Sequence, residues 1–449
     1  MACAHVVLAA PPGRFLARGG VVRRAFSNNR RPSSASLRQR RSYARILGIE
    51  TSCDDTGVAI VDTEGAVLAE ALYGQGEFHA QLGGVIPPIA RELHAVNVIK
   101  ATDDVLRESG LRPSDLSAVA VTTRPGLVMT LYEGLQHARR FALESRLPLL
   151  PIHHMEAHAL TPRMAYPDLS FPFLVLLVSG GHCILSLVRG VSDFLVLGNT
   201  IDVAPGDLFD KAGRRLKLRN LPECRRLGFG PAIEAAAKGG DPTRFTLPHP
   251  MLRRPDCHFS FGGIHTALQS LVEREEERCG VIGGDVLPTA ADIAAGLQVA
   301  VAKHLAARLV RAWNYCDLKE LVPAEGRTRR TLVMSGGVAA NGFLRSVIGR
   351  VCERHDARLI CPPPKLCTDN GVMIAWNGVE RWKEGDRGMT DEAEMMRIEP
   401  VDRSPLGNDV GEDVVRRGLK VKSKDIDALI DSVIENSRRE SPESGSEGR

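Results

Sequence analysis

The stretch at residues 45–62, RILGIETSCDDTGVAIVD, decides the fold of this chain. It reads as a β-branched strand, a tight polar turn and a second strand, and VLAEALYG (67–74) adds a third strand. A near copy begins at residue 171, where FPFLVLLVSGGHCILSLV again gives a strand, a polar turn and a strand, with DFLVLGNTI (193–201) as the third. The chain therefore contains two similar three-stranded units.

Helices and a further strand follow each unit in the same order. In the first half, Pro87 and Pro88 open a long helix that runs to about Arg107, SAVAVTT (117–123) is a buried strand, and LYEGLQHARRFALE (131–144) is helical. The second half has ADIAAGLQVAVAKHLAARLVRAW (291–313) as its long helix, TLVMSGG (331–337) as its buried strand and a helix that begins near Asn341. Two β-β-β-α-β-α units predict an α/β protein whose two lobes face each other across a cleft.

Positive charge is concentrated at the N-terminus. Ten arginines and no acid precede Glu50: Arg14, Arg18, Arg23, Arg24, Arg30, Arg31, Arg38, Arg40, Arg41 and Arg45. This composition, with several serines and an apolar VVLAA, is typical of a mitochondrial transit peptide, and a disordered basic arm that holds nucleic acid is the alternative. Without these arginines the body has 48 basic and 54 acidic residues, a formal charge near −6. Any nucleic-acid binding must therefore use a local basic patch.

Other features of the composition concern membranes, thiols and the C-terminus. No apolar stretch reaches the roughly 20 residues that a membrane-spanning helix needs, so no membrane insertion is expected. The ten cysteines form no C-x-x-C pair and suit free thiols in a reducing compartment. Apolar residues at helical spacing, capped by Ser423, predict a short docking helix, and the polar segment from Glu435 onward is predicted to be disordered. The apolar residues of this helix are Ile426, Leu429, Ile430, Val433 and Ile434.

The hexapeptide HHMEAH (153–158) places two histidines four residues apart around a glutamate. In a helix, His154 and His158 lie one turn apart and can share a divalent ion. A protease of the H-E-x-x-H type needs its glutamate directly after the first histidine, where this chain has Met155, and Glu156 points elsewhere. The spacing alone leaves open a metal site or a helix start with partly exposed histidines.

The tripeptide SGG occurs twice directly after a hydrophobic strand, at residues 179–181 and 335–337. Glycine lets backbone N–H groups approach an anion such as phosphate closely. Asn341 follows the second copy and could meet a ribose or a base at a helix start. Two equivalent turns with GDLFDKAGRR (206–215) between them predict a nucleotide cleft; Asp210 is alternatively a helix N-terminal carboxylate that balances the macrodipole.

Taken in order, GIETSCDDT, HHMEAH, VSGGH, GDLFDK, SFGGIHTAL, SGGVAAN and CTDNGVMIAW resemble the TsaD family of tRNA adenosine threonylcarbamoyltransferases, in particular its mitochondrial members, from about Ile46 to about Trp376. The resemblance implies an actin-like, Hsp70-like ATPase fold with two RNase H-like lobes around a nucleotide cleft. It implies transfer of the threonylcarbamoyl group from threonylcarbamoyl-AMP to the exocyclic amine of the adenosine 3′ of the anticodon, in tRNAs that read codons beginning with A. The implied partners are mitochondrial tRNA, a separate synthase that supplies threonylcarbamoyl-AMP, and a second copy of the chain in a homodimer, all in the mitochondrial matrix.

The resemblance also assigns residues to the site. It implies one divalent metal ion per subunit, zinc or iron, held by His154, His158 and Asp369. Asp54, in the first hairpin turn, matches an acid beside the metal and is the candidate base that takes a proton from the adenine amine. The adenylate would be bound by Ser179, Gly180, Gly181, His182, Asp210, Gly230 and Asn341. The chain then divides into a transit peptide (1–45), an N-terminal lobe with the metal-binding histidines (46–172), a C-terminal lobe with the nucleotide-binding loops (173–402), and a C-terminal helix with a disordered tail (403–449).

This chain departs from the family pattern at three places. Residues 202–211 read DVAPGDLFDK where the family has DDAAGEAFDK, GFG (228–230) replaces PGG, and RPGL (124–127) replaces GPGL. The nucleotide contacts of these loops are therefore expected to differ. Two other functional classes stay open: a metallopeptidase, because of the histidine pair, and a nucleotide-gated binding module, because this fold often only clamps ATP.

Overall fold

Two β-sheets with the same strand order form the framework of the protein. The computed structural model describes residues 43–82, 84–322 and 330–440, without the side chains of residues 80, 81 and 437–440. Nearly all of the expected transit peptide (1–45) lies outside these residues. Its last position, Arg45, is the first residue of a strand, so the folded body begins slightly before the expected boundary.

The first sheet contains five strands in the order β3-β2-β1-β4-β5. The strands are β1 (Arg45–Glu50), β2 (Asp55–Asp62), β3 (Val67–Gly74), β4 (Ala118–Arg124) and β5 (Leu149–His153). β2 is antiparallel to β1 and to β3, whereas β4 is parallel to β1 and to β5. The helices of this half are α1 (Gly76–Gln81), α2 (Pro87–Ser109), α3 (Val128–Ser145) and α4 (His154–Ala165).

The second sheet repeats that arrangement. Its strands are β6 (Phe173–Val178), β7 (Cys183–Gly190), β8 (Asp193–Asn199), β9 (Thr331–Ser335) and β10 (Arg358–Ile360), with the short β11 (Asn408–Asp409) added beside β8. The order is again third, second, first, fourth and fifth strand, with the same antiparallel and parallel pairs. The helices are α5 (Pro205–Arg215), α6 (Phe229–Ala237), α7 (Gly262–Cys279), α8 (Ala290–Leu318) and α9 (Gly342–Arg354). The duplicated topology confirms the predicted fold class, two RNase H-like lobes of the actin-like and Hsp70-like ATPase fold.

One helix crosses from the second half of the sequence to the first sheet. α10 (Gly371–Lys383) buries Val372, Met373 and Ile374 in the same core as Ile46 and Ala59 of the first sheet. The approach is so close that a Cβ atom on Gly371 would lie 2.4 Å from the backbone carbon of Val58. The expected second lobe (173–402) included this helix, but its packing places it in the first lobe. Sequence order suggested the wrong lobe because nothing local to the helix specifies which sheet it covers.

The helix α8 is long and apolar enough to cross a bilayer by length and composition, but 83% of its apolar window is buried in the protein. It was expected that no apolar stretch would reach this length. Alanines and leucines cover nearly the whole circumference because the helix lies in the middle of the second lobe's core, where Trp313 is fully buried. A helix buried to this extent is a core helix of the second lobe.

The C-terminal helix docks as predicted. After α11 (Glu392–Arg397) and α12 (Gly411–Arg417), α13 (Ser423–Glu440) packs Ile426, Leu429, Ile430 and Val433 into the core around α8. Ser423 is the first helical residue rather than the cap that precedes the helix, and its hydroxyl donates to Asp427 at 3.1 Å. The first six residues of the segment expected to be disordered, 435–440, are helical; the rest of that segment lies outside the described residues.

A candidate metal and nucleotide cleft

The two histidines of HHMEAH share one face of a helix that begins inside the motif. α4 starts at His154, and the ring of His153 accepts a hydrogen bond from Met155 N at 3.2 Å, which satisfies one free N–H of the first turn. Positions four apart then stack, so that the Nε2 atoms of His154 and His158 lie 3.2 Å apart. Both side chains are buried, which argues against two exposed histidines at a helix start.

Asp369 reaches this pair because α10 lies against the first sheet. The side chain of Asn370 caps α10 by accepting from Met373 N at 2.9 Å, and Gly371 allows the close contact with β2. The residue before the cap is thereby held beside α4. Asp369 Oδ1 lies 3.0 Å from His158 Nε2 and 3.5 Å from His154 Nε2.

The three side chains fit a divalent ion. Their ligand atoms all lie within 4.8 Å of one another. Two atoms that bind a tetrahedral zinc ion at about 2.1 Å are separated by about 3.4 Å, close to the distances found here. The Nε2 atoms of the two imidazoles lie 3.2 Å apart. Two nitrogen lone pairs repel each other at this distance, so the contact is favourable only if a proton or a cation lies between them. Two imidazoles and a carboxylate suit zinc or iron and leave further coordination positions for a substrate.

Glu50 contacts His154, one of the candidate ligands, and no sequence motif pointed to this glutamate. This side chain is fully buried at the end of β1, and its Oε2 lies 3.1 Å from His154 Nδ1. Ser52 N donates to Oε1 and the Thr122 hydroxyl donates to Oε2, both at 2.6 Å, so the carboxylate is held firmly. If Nδ1–H donates to Glu50, the lone pair of His154 Nε2 points toward the cluster, as a metal ligand requires.

The charges around the cluster favour a cation. Burial raises the pKa of Glu50, but the charge and the hydrogen bond of His154 outweigh it, so the pKa is lowered overall. Burial lowers the pKa of His154, whereas the charges of Glu50 and Asp369 raise it to about 9. Burial also opposes ionisation of Asp369, yet the nearby His154 and His158 hold its pKa well below the usual range. The buried carboxylate of Glu50 and the partly buried carboxylate of Asp369 therefore stabilise positive charge at this position.

Other acids of the motifs occupy distinct places. Burial, and then the charges of Asp54 and Asp369, raise the pKa of Asp55 to about 7. Asp54 and Asp55 both line a cavity of about 540 Å³ that also contains His154, His158 and Asp369. Glu156 is not among the residues of this cavity or of the ligand cluster. Burial raises the pKa of Glu156 to about 7, opposed by the charges of Arg381 and Arg124.

The first SGG turn closes the same cavity from the second lobe. Ser179, Gly180, Gly181 and His182 join β6 to β7 as a tight hairpin in which His182 N donates to Ser179 Oγ at 3.1 Å. Cβ atoms at Gly180 and Gly181 would meet no atom within 4 Å, so both glycines border open space where a phosphate can approach the backbone. Burial, and then the charges of His154 and His158, lower the pKa of His182 to about 4.

A second cavity of about 330 Å³ adjoins the first and holds the remaining predicted nucleotide contacts. Gly180 and Gly337 line both cavities, and Asp210, Gly230 and Asn341 line the second. Asn341 caps α9: its Oδ1 accepts from Leu344 N at 3.0 Å, and its Nδ2 donates to Gln298 Oε1 at 2.7 Å. Among the described residues, Asn341 Nδ2 donates only this one bond, so its second amide hydrogen can bind a ligand.

Asp210 does not occupy a helix N-terminus. The first-turn acid of α5 is Asp207, which pairs with Lys211 at 2.8 Å, whereas Asp210 is the sixth residue of the helix. Burial raises the pKa of Asp210, partly opposed by the charge of Arg214. A macrodipole effect is confined to the first turn, so it does not account for this carboxylate.

Comparisons with known proteins identify the family of this chain. The model of the TsaD family, tRNA N6-adenosine threonylcarbamoyltransferase, matches residues 66–376. A curated mitochondrial tRNA N6-adenosine threonylcarbamoyltransferase of Rattus norvegicus is 48% identical over 377 residues, which are 84% of this chain and 89% of the relative. The Homo sapiens protein of the same name is 46% identical over 376 residues, with the same two shares.

Bacterial relatives and solved structures are more distant. A tRNA N6-adenosine threonylcarbamoyltransferase of Cereibacter sphaeroides is 43% identical over 364 residues, covering 80% of this chain and 94% of the relative. Component A of (R)-2-hydroxyglutaryl-CoA dehydratase from Acidaminococcus fermentans superimposes with a TM-score of 0.42 at 16% identity, covering 76% of this chain and 99% of that structure.

Proposed function

The chain belongs to the TsaD family of tRNA N6-adenosine threonylcarbamoyltransferases, and we propose that His154, His158 and Asp369 and the glycine turn at 179–182 are the residues with which it performs the transfer. In this reaction the adenosine N6 forms a bond to the carbamoyl carbon, the bond from that carbon to the phosphate oxygen breaks, and AMP leaves with the electron pair. The observation that carries the proposal is that three metal-ligand atoms converge within 4.8 Å on the wall of the cavity that the glycine turn closes.

Each part of the cavity has a role in this proposal. The substrate is already an activated anhydride, so the main requirement is to orient the weakly nucleophilic adenine amine and to remove its proton. Asp54 is the proposed base, because it lines both this cavity and the open cleft beside it. Gly180 and Gly181 present backbone to the phosphate, and Glu50 keeps His154 in the tautomer that binds metal. A bound divalent ion would stabilise the negative charge that develops in the transition state.

The reaction is tested by incubating the metal-loaded protein with threonylcarbamoyl-AMP and unmodified tRNA, followed by mass spectrometry of the nucleosides. Modified adenosine at the position 3′ of the anticodon is the expected result. Stoichiometric nucleotide binding without modified tRNA would favour a binding module. Cleavage of added peptides, which the same instrument detects, would favour a metallopeptidase.

Asp210 is proposed to bind the adenylate. We expect Asp210→Asn to weaken nucleotide binding by a factor on the order of ten, as the loss of one charge-assisted hydrogen bond does. Calorimetric titration with AMP measures this change. The matched control is Asp207→Asn on the same helix, which removes a half-exposed carboxylate paired with Lys211 and is expected to leave AMP binding within about twofold. An unchanged affinity with a lowered melting temperature in Asp210→Asn would assign this carboxylate a structural role.

The mitochondrial matrix is the proposed compartment, with mitochondrial tRNA as substrate and a separate synthase as the source of threonylcarbamoyl-AMP. Support comes from the acid-free, arginine-rich start and from relatives named mitochondrial. We expect a chain without residues 1–40 to stay active in vitro and to remain in the cytosol of cells, as fluorescence of a C-terminal fusion would report. Import of the truncated chain would contradict the transit-peptide interpretation.

A homodimer is proposed through the exposed face of α2 and α3. These two helices pack on the same side of the first sheet and expose apolar side chains that a monomer rarely presents together. The exposed residues are Val96 (67%), Ile99 (43%), Val128 (44%), Met129 (38%) and Tyr132 (41%). Analytical ultracentrifugation of the wild type and of Val96→Asp tests this proposal, and a wild-type monomer at micromolar concentration would refute it.

A further inference from the structure

We propose that four arginines beside the cleft, Arg214, Arg219, Arg225 and Arg226, form the surface that binds the phosphate backbone of the tRNA anticodon loop. This inference rests on the proposed function, because it concerns the nucleic-acid substrate of that same site. The arginines belong to the end of α5 and to the segment that leads to α6.

The four side chains line the open mouth of the cleft. They share a cavity of about 1070 Å³ with Gly76, Glu77 and His79 of the first lobe. Asp54, the proposed base, lines this cavity as well as the metal cavity, and Asp210 lines it as well as the nucleotide cavity. A base that enters through this cavity therefore has both the arginines and Asp54 on the cavity walls.

The charge of these arginines is available to a ligand. All four are exposed, and none of their side chains forms a salt bridge or a hydrogen bond with another described residue. By contrast, Arg215 and Lys217 of the same segment are both paired with Glu276. Three acids, Asp54, Glu77 and Asp210, also line the cavity, but the positive groups outnumber them. An unpaired cluster matters here because the body of the protein carries a formal charge near −6, so bulk attraction for RNA is absent.

Phe229 holds two of the guanidinium groups in place. Arg219 lies 4.4 Å and Arg214 lies 5.4 Å from the centre of its ring. The ring has room only because residue 213 is glycine: a Cβ there would lie 2.8 Å from Phe229 Cδ1. Because Arg214 and Arg219 already rest against the Phe229 ring, their side chains lose less conformational entropy on binding phosphate than unrestrained arginines would. The GFG sequence, where the family has PGG, thus supplies the aromatic support for a basic cluster.

The arginines are directed to the RNA and not to the phosphate of the adenylate. No arginine or lysine lines the cavity that contains Gly230 and Asn341, among the residues that the structure describes. The only basic side chain beyond histidine in the metal cavity is Arg403, within the same described part of the chain. The four-arginine cluster thus lies outside both cavities proposed for threonylcarbamoyl-AMP. It is placed to meet the phosphates that flank a base inserted into the cleft, as single-stranded loops allow.

The test compares the full-length wild type with Arg225→Glu/Arg226→Glu and Arg214→Gln/Arg219→Gln double variants. The ligands are an unmodified tRNA and its isolated anticodon stem-loop, at several salt concentrations. We expect each double variant to bind RNA roughly tenfold or more weakly, and the salt dependence to become shallower by about 0.7 in log–log slope for each lost single-strand phosphate contact. In Arg225→Glu/Arg226→Glu, whose residues do not act on Asp210, the KM for threonylcarbamoyl-AMP and the metal content should remain within about twofold of the wild type.

The control for Arg225→Glu/Arg226→Glu is Arg253→Glu/Arg416→Glu, which makes the same charge change at two exposed arginines that do not line the cleft. If the control lowers RNA affinity as much as the cleft variants do, the loss of affinity is due to net charge alone, and the proposal is overturned. A raised KM for threonylcarbamoyl-AMP with unchanged RNA binding would also overturn it and assign the arginines to the adenylate. If the wild type binds RNA through these arginines but modifies none, the RNA surface stands and the proposed function fails.

Discussion

Replacing His154, His158 or Asp369 by alanine is expected to remove the bound metal and to lower the rate of transfer by roughly three orders of magnitude or more. A metal ion lowers the free energy of a transition state by several kcal/mol, because it stabilises the negative charge that develops there. Each 1.4 kcal/mol of this free energy corresponds to about a tenfold change in rate. The three ligand atoms lie 3.0–3.5 Å from one another, so loss of one leaves a two-ligand site that holds an ion weakly. Metal analysis by mass spectrometry and single-turnover transfer to tRNA measure the two effects together.

The matched control is Glu156→Gln, because Glu156 lies between the two histidines in the sequence of α4. Glu156 is not part of the ligand cluster, so this variant should keep its metal and lose transfer only partly. Full transfer by a metal-free His154→Ala/His158→Ala protein would refute the proposed site. Peptide cleavage that disappears in Glu156→Gln would restore the metallopeptidase interpretation. The same metal analysis of the wild type decides between zinc and iron, both of which fit two imidazoles and one carboxylate.

Glu50→Gln is expected to weaken metal binding by about ten- to a hundredfold, although Glu50 itself does not touch the ion. The carboxylate accepts a hydrogen bond from His154 Nδ1 at 3.1 Å, whereas the amide of glutamine can donate to Nδ1. The proton of the ring then moves to Nε2, the atom that faces His158 and Asp369, and the lone pair required for the metal is lost. Transfer should fall with the metal and recover in part at high metal concentration.

Competition with a metal chelator measures the affinity, and thermal unfolding shows whether the fold has changed. Glu275→Gln is the matched control, because this glutamate is also buried and hydrogen-bonded but lies in the second lobe, paired with Arg278 at 2.7 Å. Both variants should lower the melting temperature, and only Glu50→Gln should release metal. Unaltered metal affinity in Glu50→Gln would show that the orientation of His154 does not depend on this carboxylate.

Much of the local structure could be predicted because its signals lie close together in the sequence. The two hairpins with their polar turns, the helix that follows Pro87 and Pro88, and the docking helix with Ile426 and Leu429 are all present. The same holds for His154 and His158: four residues in a helix are one turn, so the spacing alone placed them on one face. The resemblance to the family then predicted Asp369 as the third ligand.

Other features depended on contacts that no short stretch of sequence specifies. Glu50 ends a strand like many acids, and only the packing of α4 against β1 makes it a partner of His154. Arg214 and Arg225 read as ordinary surface charges until the fold turns them toward the cleft. Asp210 was read as a possible first-turn acid, but the helix begins earlier, at Pro205.

The division between sequence and tertiary structure has a physical cause. Alternation of apolar residues and helical spacing act between neighbours along the chain, so the sequence by itself determined the two β-β-β-α-β-α units and the histidine pair. Which helix covers which sheet is set by close packing between distant segments, as where Gly371 meets the backbone of β2. That contact brings Asp369 to within 3.0 Å of His158, 211 positions earlier in the chain. Only the tertiary structure decided that Asp369 lies beside His158. The free energy that favours the packing of α10 on the first sheet is gained only when the helix and the sheet are both already formed.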